Sequence, residues 1–140
     1  MINFFKIFTI QEDFNIDNNL LDTKYFELQS KFHPDLRRPN ASQIDSNTIN
    51  RGYSILKDDF ERASHLLYIK GINIKQDSCH IKLQPEELDE ILEHIEHHSL
   101  SEDVINEIKL QMSKAFLSND LDKAALLTLK LRFLTKTSNK

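Results

Sequence analysis

The residues best equipped for chemistry in this chain are His33, Pro34 and Asp35, within "LQSKFHPDLRRPN" at positions 28–40. Proline fixes its own φ and biases the residue before it towards extended angles, so a helix arriving from the N-terminal side stops at or near His33. An imidazole and a carboxylate are then held on either side of a stiff ring. Lys24 and Lys31 precede this turn and Arg37 and Arg38 follow it, which makes the tip locally basic. Such a carboxylate can accept charge-assisted hydrogen bonds from a partner's arginine, and a fixed turn loses little entropy on docking. Taken alone, the same residues also make an ordinary turn, with Asp35 capping backbone and His33 solvated, and only their surroundings can decide.

Two other clusters invite chemistry and lack its geometry. His94, His97 and His98 fall at i, i+3 and i+4, and two imidazoles on one helical face can chelate a metal. No third ligand is fixed nearby, and a solvated acidic helix accounts for them. Cys79 adjoins His80, but a lone thiolate holds iron poorly, and adjacency in sequence does not set a nucleophile against a base. The expectation is no catalytic site, no metal and no cofactor. A helical metal-binding protein using His80, His94, His97 and His98 is the alternative from another class.

The elements that must position the tip are helices. In "LLDTKYFELQSKF" residues Leu21, Tyr25, Leu28 and Phe32 are spaced by four, three and four, one face of a helix that starts from the Asn- and Asp-rich stretch before it. Ahead of that stretch, "NFFKIFTI" is a short aromatic-rich helix or an extended lead-in. Beyond the tip, Ile49, Tyr53, Leu56, Phe60, Ala63 and Leu67 continue a single helical face through "TINRGYSILKDDFERASHLLYIKG". Gly52, inside it, gives up about 1 kcal/mol of helix propensity and marks a close helix contact. Two such helices joined by a turn at 33–40 pack antiparallel, leaving His33 to Asp35 at one end of the pair.

Gly71 is a helix stop, "GINIKQDSCHIKLQ" a connector, and Pro85 a first-turn residue of the next helix. Three further helices follow. "PEELDEILEHIEHH" has Leu88, Ile91, Leu92 and Ile95 on one side; "SLSEDVINEIKLQMSKAFLSN" opens with Ser99 and Glu102 at capping-box spacing; "DLDKAALLTLKLRFLTK" is rich enough in leucine to pack on more than one side. The organisation expected is residues 1–70, a connector at 71–84, and a three-helix bundle at 85–140.

The composition of all 140 residues agrees with an all-α chain: 39% are apolar, and only two glycines and three prolines are available for turns. A net charge of -4 argues against nucleic acid as a partner. One cysteine fits a reducing compartment, and no stretch is long or apolar enough for a membrane span or a secretory signal. The bacterial cytoplasm is the expected location.

With those elements around it, the tip resembles that of a J-domain, the module that recruits DnaK-class chaperones and stimulates their ATP hydrolysis. The resemblance is carried by "FFKIFTI", "YFELQSKFHPDL" and "INRGYSILKDDFERASHLL". The aromatic pair at residue 4, "LKDDFERASHLL" and the closing "LKLRFLTK" are similar to the HscB family, the dedicated J-proteins of bacterial iron–sulfur cluster assembly. The likeness covers nearly the whole chain apart from the connector.

That resemblance implies a bipartite co-chaperone. His33, Pro34 and Asp35 would meet the ATPase domain of an HscA-like chaperone, with Lys24 and Lys31 steering association. The C-terminal bundle would hold an IscU-type scaffold through Leu88, Leu92, Glu93 and Glu96 of its first helix and Phe133 of "KLRFL". A J-domain adaptor serving another client is the nearer alternative. Three features depart from the family pattern: Asp89 replaces an apolar residue, Asp59 stands where many relatives have proline, and the chain stops soon after "FLTK", which predicts a short last helix.

Overall fold

Short polar side chains set where the helices begin. The structure, a computed structural model, describes residues 2–32, 46–76, 78–97 and 102–138, without the side chains of 32, 94–97, 102, 103 and 136–138. Among them are seven helices and no strand: α1 (Phe4–Ile7), α2 (Asn18–Phe32), α3 (Ser46–Lys57), α4 (Asp59–Ile69), α5 (Pro85–His97), α6 (Glu102–Leu117) and α7 (Leu121–Ser138). The all-α expectation is met. Asn3 accepts from the Lys6 amide at 3.2 Å, Asp17 from Asn19 at 2.9 Å, Asp58 from Glu61 at 2.9 Å and Asp120 from Lys123 at 3.3 Å. Each takes up a donor that a helix start leaves unpaired. Pro85 opens α5, as its fixed φ favours.

Helix stops follow one pattern in three places. Gly71 has φ 101°; its N–H donates to the Tyr68 carbonyl at 3.1 Å, and that of Ile72 to Leu67 at 2.9 Å. This is the Schellman arrangement, which needs a left-handed residue. Asn119 (φ 59°) closes α6 in the same way, and Thr9 (φ 52°) closes α1. A β-branched threonine is strained there. Neither of these last two stops carries the glycine that would announce it.

The chain forms two compact units, Met1–His65 and Leu66–Lys140, which divide within α4. In the first, Phe4, Phe5, Phe8 and Phe14 are buried with Leu21, Ile49 and Leu56. The aromatic-rich start is therefore core, and its short helix is one of the two forms expected. α2 and α3 run antiparallel: Asp22 early in α2 meets Tyr53 and Lys57 late in α3, while Gln29 late in α2 meets Asn50 early in α3. A Cβ added to Gly52 would overlap the ring of Phe4, so this glycine does mark a close helix contact.

The single helix expected over residues 48–70 is broken at Asp58, and the physical reason is local capping. Asp58 caps α4, and the buried guanidinium of Arg62 donates to the Leu56 carbonyl at 2.9 Å, taking up an acceptor at the end of α3. Asp59 heads α4 and pairs with Arg62 at 2.7 Å. An acidic residue suits a helix start, so α4 forms without a proline at this position.

In the second unit α6 and α7 are joined through residues 118–120 and pack through Met112, Ala115, Phe116, Ala124, Leu131 and Leu134, all buried. α7 has 18 residues, more than any other helix among those described, which corrects the expectation of a short last helix. Its buried residues run from Ala124 to Leu134, so packing carries most of the element. Glu87 of α5 lies 4.0 Å from Lys130 of α7. The described residues between Gly71 and Gln84 form no helix. Ser99, the first half of the expected capping box, lies outside the described residues.

Two measurements check this packing. Gly52→Ala gains about 1 kcal/mol of helix propensity, but overpacking against Phe4 costs about 1–3 kcal/mol, so the urea midpoint should fall; an unchanged or higher midpoint would contradict the overlap. The Nε2 atom of His65 accepts from the Phe4 amide at 3.0 Å, and its ring lies 5.2 Å from Phe4 and 5.8 Å from Phe5. Burial pushes its pKa below the ordinary 6.5. The unfolded chain then takes up this proton first as pH falls. His65 should contribute full stability above about pH 6.5 and progressively less below it, and His65→Phe should flatten that part of a stability–pH curve.

Candidate partner-binding sites

The first site begins with what the hairpin does to its ends. α2 runs to Phe32 and α3 starts at Ser46, and their antiparallel pairing brings these two helix ends to one end of the hairpin. His33, Pro34 and Asp35, with Arg37 and Arg38, lie outside the described residues. Lys24 and Lys31 are described, two helical turns apart on α2. Lys31 is exposed in the last turn, where a cation also suits the helix dipole. Lys24 is half-buried, and its Nζ lies 3.9 Å from Glu27.

Charges and rings fasten the hairpin. Asp22 accepts from the Tyr53 hydroxyl at 2.6 Å and from the Lys57 ammonium at 3.0 Å. Those two hydrogen bonds, Tyr53's first, hold the Asp22 carboxyl below its ordinary range, and Asp22 in turn pushes Tyr53 and Lys57 up. Tyr25 stacks on Tyr53 at 4.0 Å and donates to Asn50 at 2.7 Å, while Gln29 donates to both Tyr25 and Asn50. The exposed side of α2 is therefore mixed in charge and less basic than its lysines imply. It also bears Phe26, a residue missed by reading only the inward face.

The second site lies on α5 and α7. Leu88 is half-buried and Leu92, one turn on, is 44% exposed. Glu93 is exposed, as is Asp89, while the side chain of Glu96 lies outside those described. Phe133 is half-buried on α7, one turn beyond Lys130, whose partner Glu87 adjoins Leu88. None of the three apolar residues belongs to the fully buried core. Exposed apolar side chains near charged ones make a surface that can take up an apolar partner edged with polar contacts.

His80 is exposed, its Nε2 3.5 Å from Asp122. Among the described residues no three His, Cys, Asp or Glu side chains converge as a metal site. His98 and the side chains of His94 and His97 lie outside them. No helix among the described residues is long and apolar enough to cross a membrane.

No family model matches the chain. It is 32% identical over 161 aligned positions to a co-chaperone protein HscB homologue of Shewanella loihica, covering 96% of this chain and 92% of that protein. Its fold is similar to that of the human co-chaperone HscB, with a TM-score of 0.78 at 23% identity, covering 99% of this chain and 80% of the other. For the chaperone HscB from Vibrio cholerae the TM-score is 0.67 at 26% identity, covering 99% and 94%.

The exposure of Leu92 separates surface from core. Leu92→Ser should change unfolding free energy by no more than about 0.5 kcal/mol, whereas Leu131→Ala, in the buried core of the same unit, should cost about 2–5 kcal/mol. Equal losses would place Leu92 in the core instead.

Proposed function

This chain belongs to the HscB family of co-chaperones, and from that membership we propose how its two units divide the work. As a J-protein of iron–sulfur cluster assembly it has chaperone and scaffold partners in general and is not itself an enzyme. Residues 1–70 act as the J-domain: His33, Pro34 and Asp35 engage the ATPase domain of an HscA-like, DnaK-class chaperone, with Lys24 and Lys31 on the adjoining helix. Residues 85–140, reached through the connector 71–84, hold an IscU-type scaffold through Leu88, Leu92, Glu93, Glu96 and Phe133. The compartment is the bacterial cytoplasm.

The observation that carries this proposal is the extent of the likeness. It spans 96% of the chain, and so both the unit bearing His33 to Asp35 and the unit bearing Leu92 and Phe133. The chemistry follows from two linked contacts. Asp35 supplies a carboxylate for charge-assisted hydrogen bonds, with Pro34 limiting the entropy lost on docking. The apolar surface of α5 and α7 supplies a second, independent contact. Holding both partners on one chain raises the effective concentration of scaffold at the chaperone. Turnover stays with the chaperone's ATPase, and the co-chaperone sets how often it is productively loaded.

The test is steady-state ATP hydrolysis by the chaperone with this protein, with and without the scaffold. Wild type should stimulate synergistically with scaffold, His33→Gln should abolish stimulation, and Leu92→Ser should keep basal stimulation while losing the synergy. Stimulation indifferent to scaffold would leave a J-protein with another client. No stimulation by wild type would reduce His33 to Asp35 to a turn.

A further inference from the structure

The outer face of α6 carries two leucines that its packing leaves out. α6 meets α7 through Met112, Ala115 and Phe116, all buried, whereas Leu110 is 50% exposed and Leu117 76%. The two are seven residues apart, which puts them on one side of the helix. Lys114 falls between them on that side, and Glu107 lies one turn before Leu110; both charged residues are exposed. Single exposed apolar residues are ordinary, but two in helical register edged by charge form a seam of the kind that packs on another helix. None of these residues is among those assigned to the chaperone or to the scaffold.

The charges of the seam select its occupant. Glu107 and Lys114 stand about 10 Å apart along the axis, too far to pair on one helix. The Glu107 carboxylate accepts from the Gln111 amide at 3.2 Å and keeps further acceptor capacity. Three residues before Leu110 and four after it, the two charges lie about 60° and about 40° round the helix to the same flank. A two-fold axis that sets two copies of α6 antiparallel brings each flank against its own counterpart. With that axis beside Leu110 and Gln111, midway between the charges, Glu107 of each copy faces Lys114 of the other, and the two Leu110 side chains adjoin. Parallel pairing instead sets like charge against like. The seam is therefore complementary to itself, as an isologous contact requires.

We propose that the outer face of α6 is a self-association surface, on which a second copy of this chain docks antiparallel through Leu110 and Leu117 with Glu107 and Lys114 paired across the axis. A contact one helix wide is smaller than the about 1,200–2,000 Å² that stable complexes bury. The pair therefore forms and separates with concentration, in the micromolar to millimolar range.

The test is sedimentation equilibrium of the full chain from about 10 µM to about 1 mM, for wild type, Leu117→Ser, Glu107→Lys, Lys114→Glu and an equimolar mixture of the last two. Wild type should rise with concentration from one copy towards two, and Leu117→Ser should weaken association at least about tenfold, the scale of a hot-spot residue. Glu107→Lys and Lys114→Glu each set like charges against one another across the axis, and each alone should weaken association about tenfold. Their mixture sets opposite charges at both pairs and should recover wild-type association. All three positions are exposed, so thermal midpoints should match wild type. A wild type that stays single at the highest concentration, or that associates as well with Leu117→Ser, would overturn the proposal. A mixture no better than either charge variant alone would overturn it too, because the antiparallel pairing is then wrong.

Discussion

The N-terminal unit depends on one buried cation. The guanidinium of Arg62, only 6% exposed, donates to the Phe14 carbonyl at 2.6 Å, to the Leu56 carbonyl at 2.9 Å and to the Asp59 carboxylate at 2.7 Å, and lies 4.9 Å from the centre of the Phe14 ring. The loop before α2, the end of α3 and the start of α4 thus converge on a single side chain. Arginine suits this position because its planar fork can serve three acceptors while stacking on a ring. A buried charge is tolerated only when its donors are so used, and removing any partner leaves a desolvated group behind. The α2–α3 hairpin is anchored at this point.

From there the functional arrangement follows by geometry. Arg62 closes α3, the Asp22, Tyr53 and Lys57 cluster fixes α2 on α3, and the antiparallel pair brings the end of α2 and the start of α3 together. On the other unit, Glu87 and Lys130 link the start of α5 to α7 near Leu88 and Phe133. In the proposed division of work, Leu88, Leu92 and Phe133 stand on α5 and α7 and Lys24 and Lys31 on α2, whereas His33 to Asp35 belong to the segment between α2 and α3. Of the two α2 lysines, Lys24 is compensated by Glu27.

Much of this was legible in the sequence, for reasons that differ by element. The spacing of Leu21, Tyr25 and Leu28 placed α2, Pro85 placed the start of α5, Gly71 placed the end of α4, and Gly52 signalled the approach of another side chain. These are signals in which residue type and backbone requirement coincide. The break at Asp58 was hidden because Ile49, Leu56, Ala63 and Leu67 keep one helical phase across it, and because the Arg62 guanidinium that takes up the Leu56 carbonyl is also held by the Phe14 carbonyl, far away in sequence. The stops at Thr9 and Asn119 were hidden because neither carries glycine. In the site, Leu88, Leu92 and Phe133 could be named from the family likeness, but their incomplete burial could not. Phe26 escaped because helical periodicity draws the eye to the inward face.

The central claim is that one chain must hold chaperone and scaffold together, and trans-complementation tests it most directly. His33→Gln retains the scaffold surface and Leu92→Ser retains the tip, so an equimolar mixture contains both functional surfaces on separate molecules. The measurement is scaffold-dependent stimulation of the chaperone's ATPase by that mixture, compared with wild type at the same total concentration. If linkage raises the effective concentration of scaffold, the mixture should give no more synergy than either variant alone. Recovery of wild-type synergy by the mixture would show that the surfaces act without being joined, and the account of this chain as a bivalent carrier would be wrong.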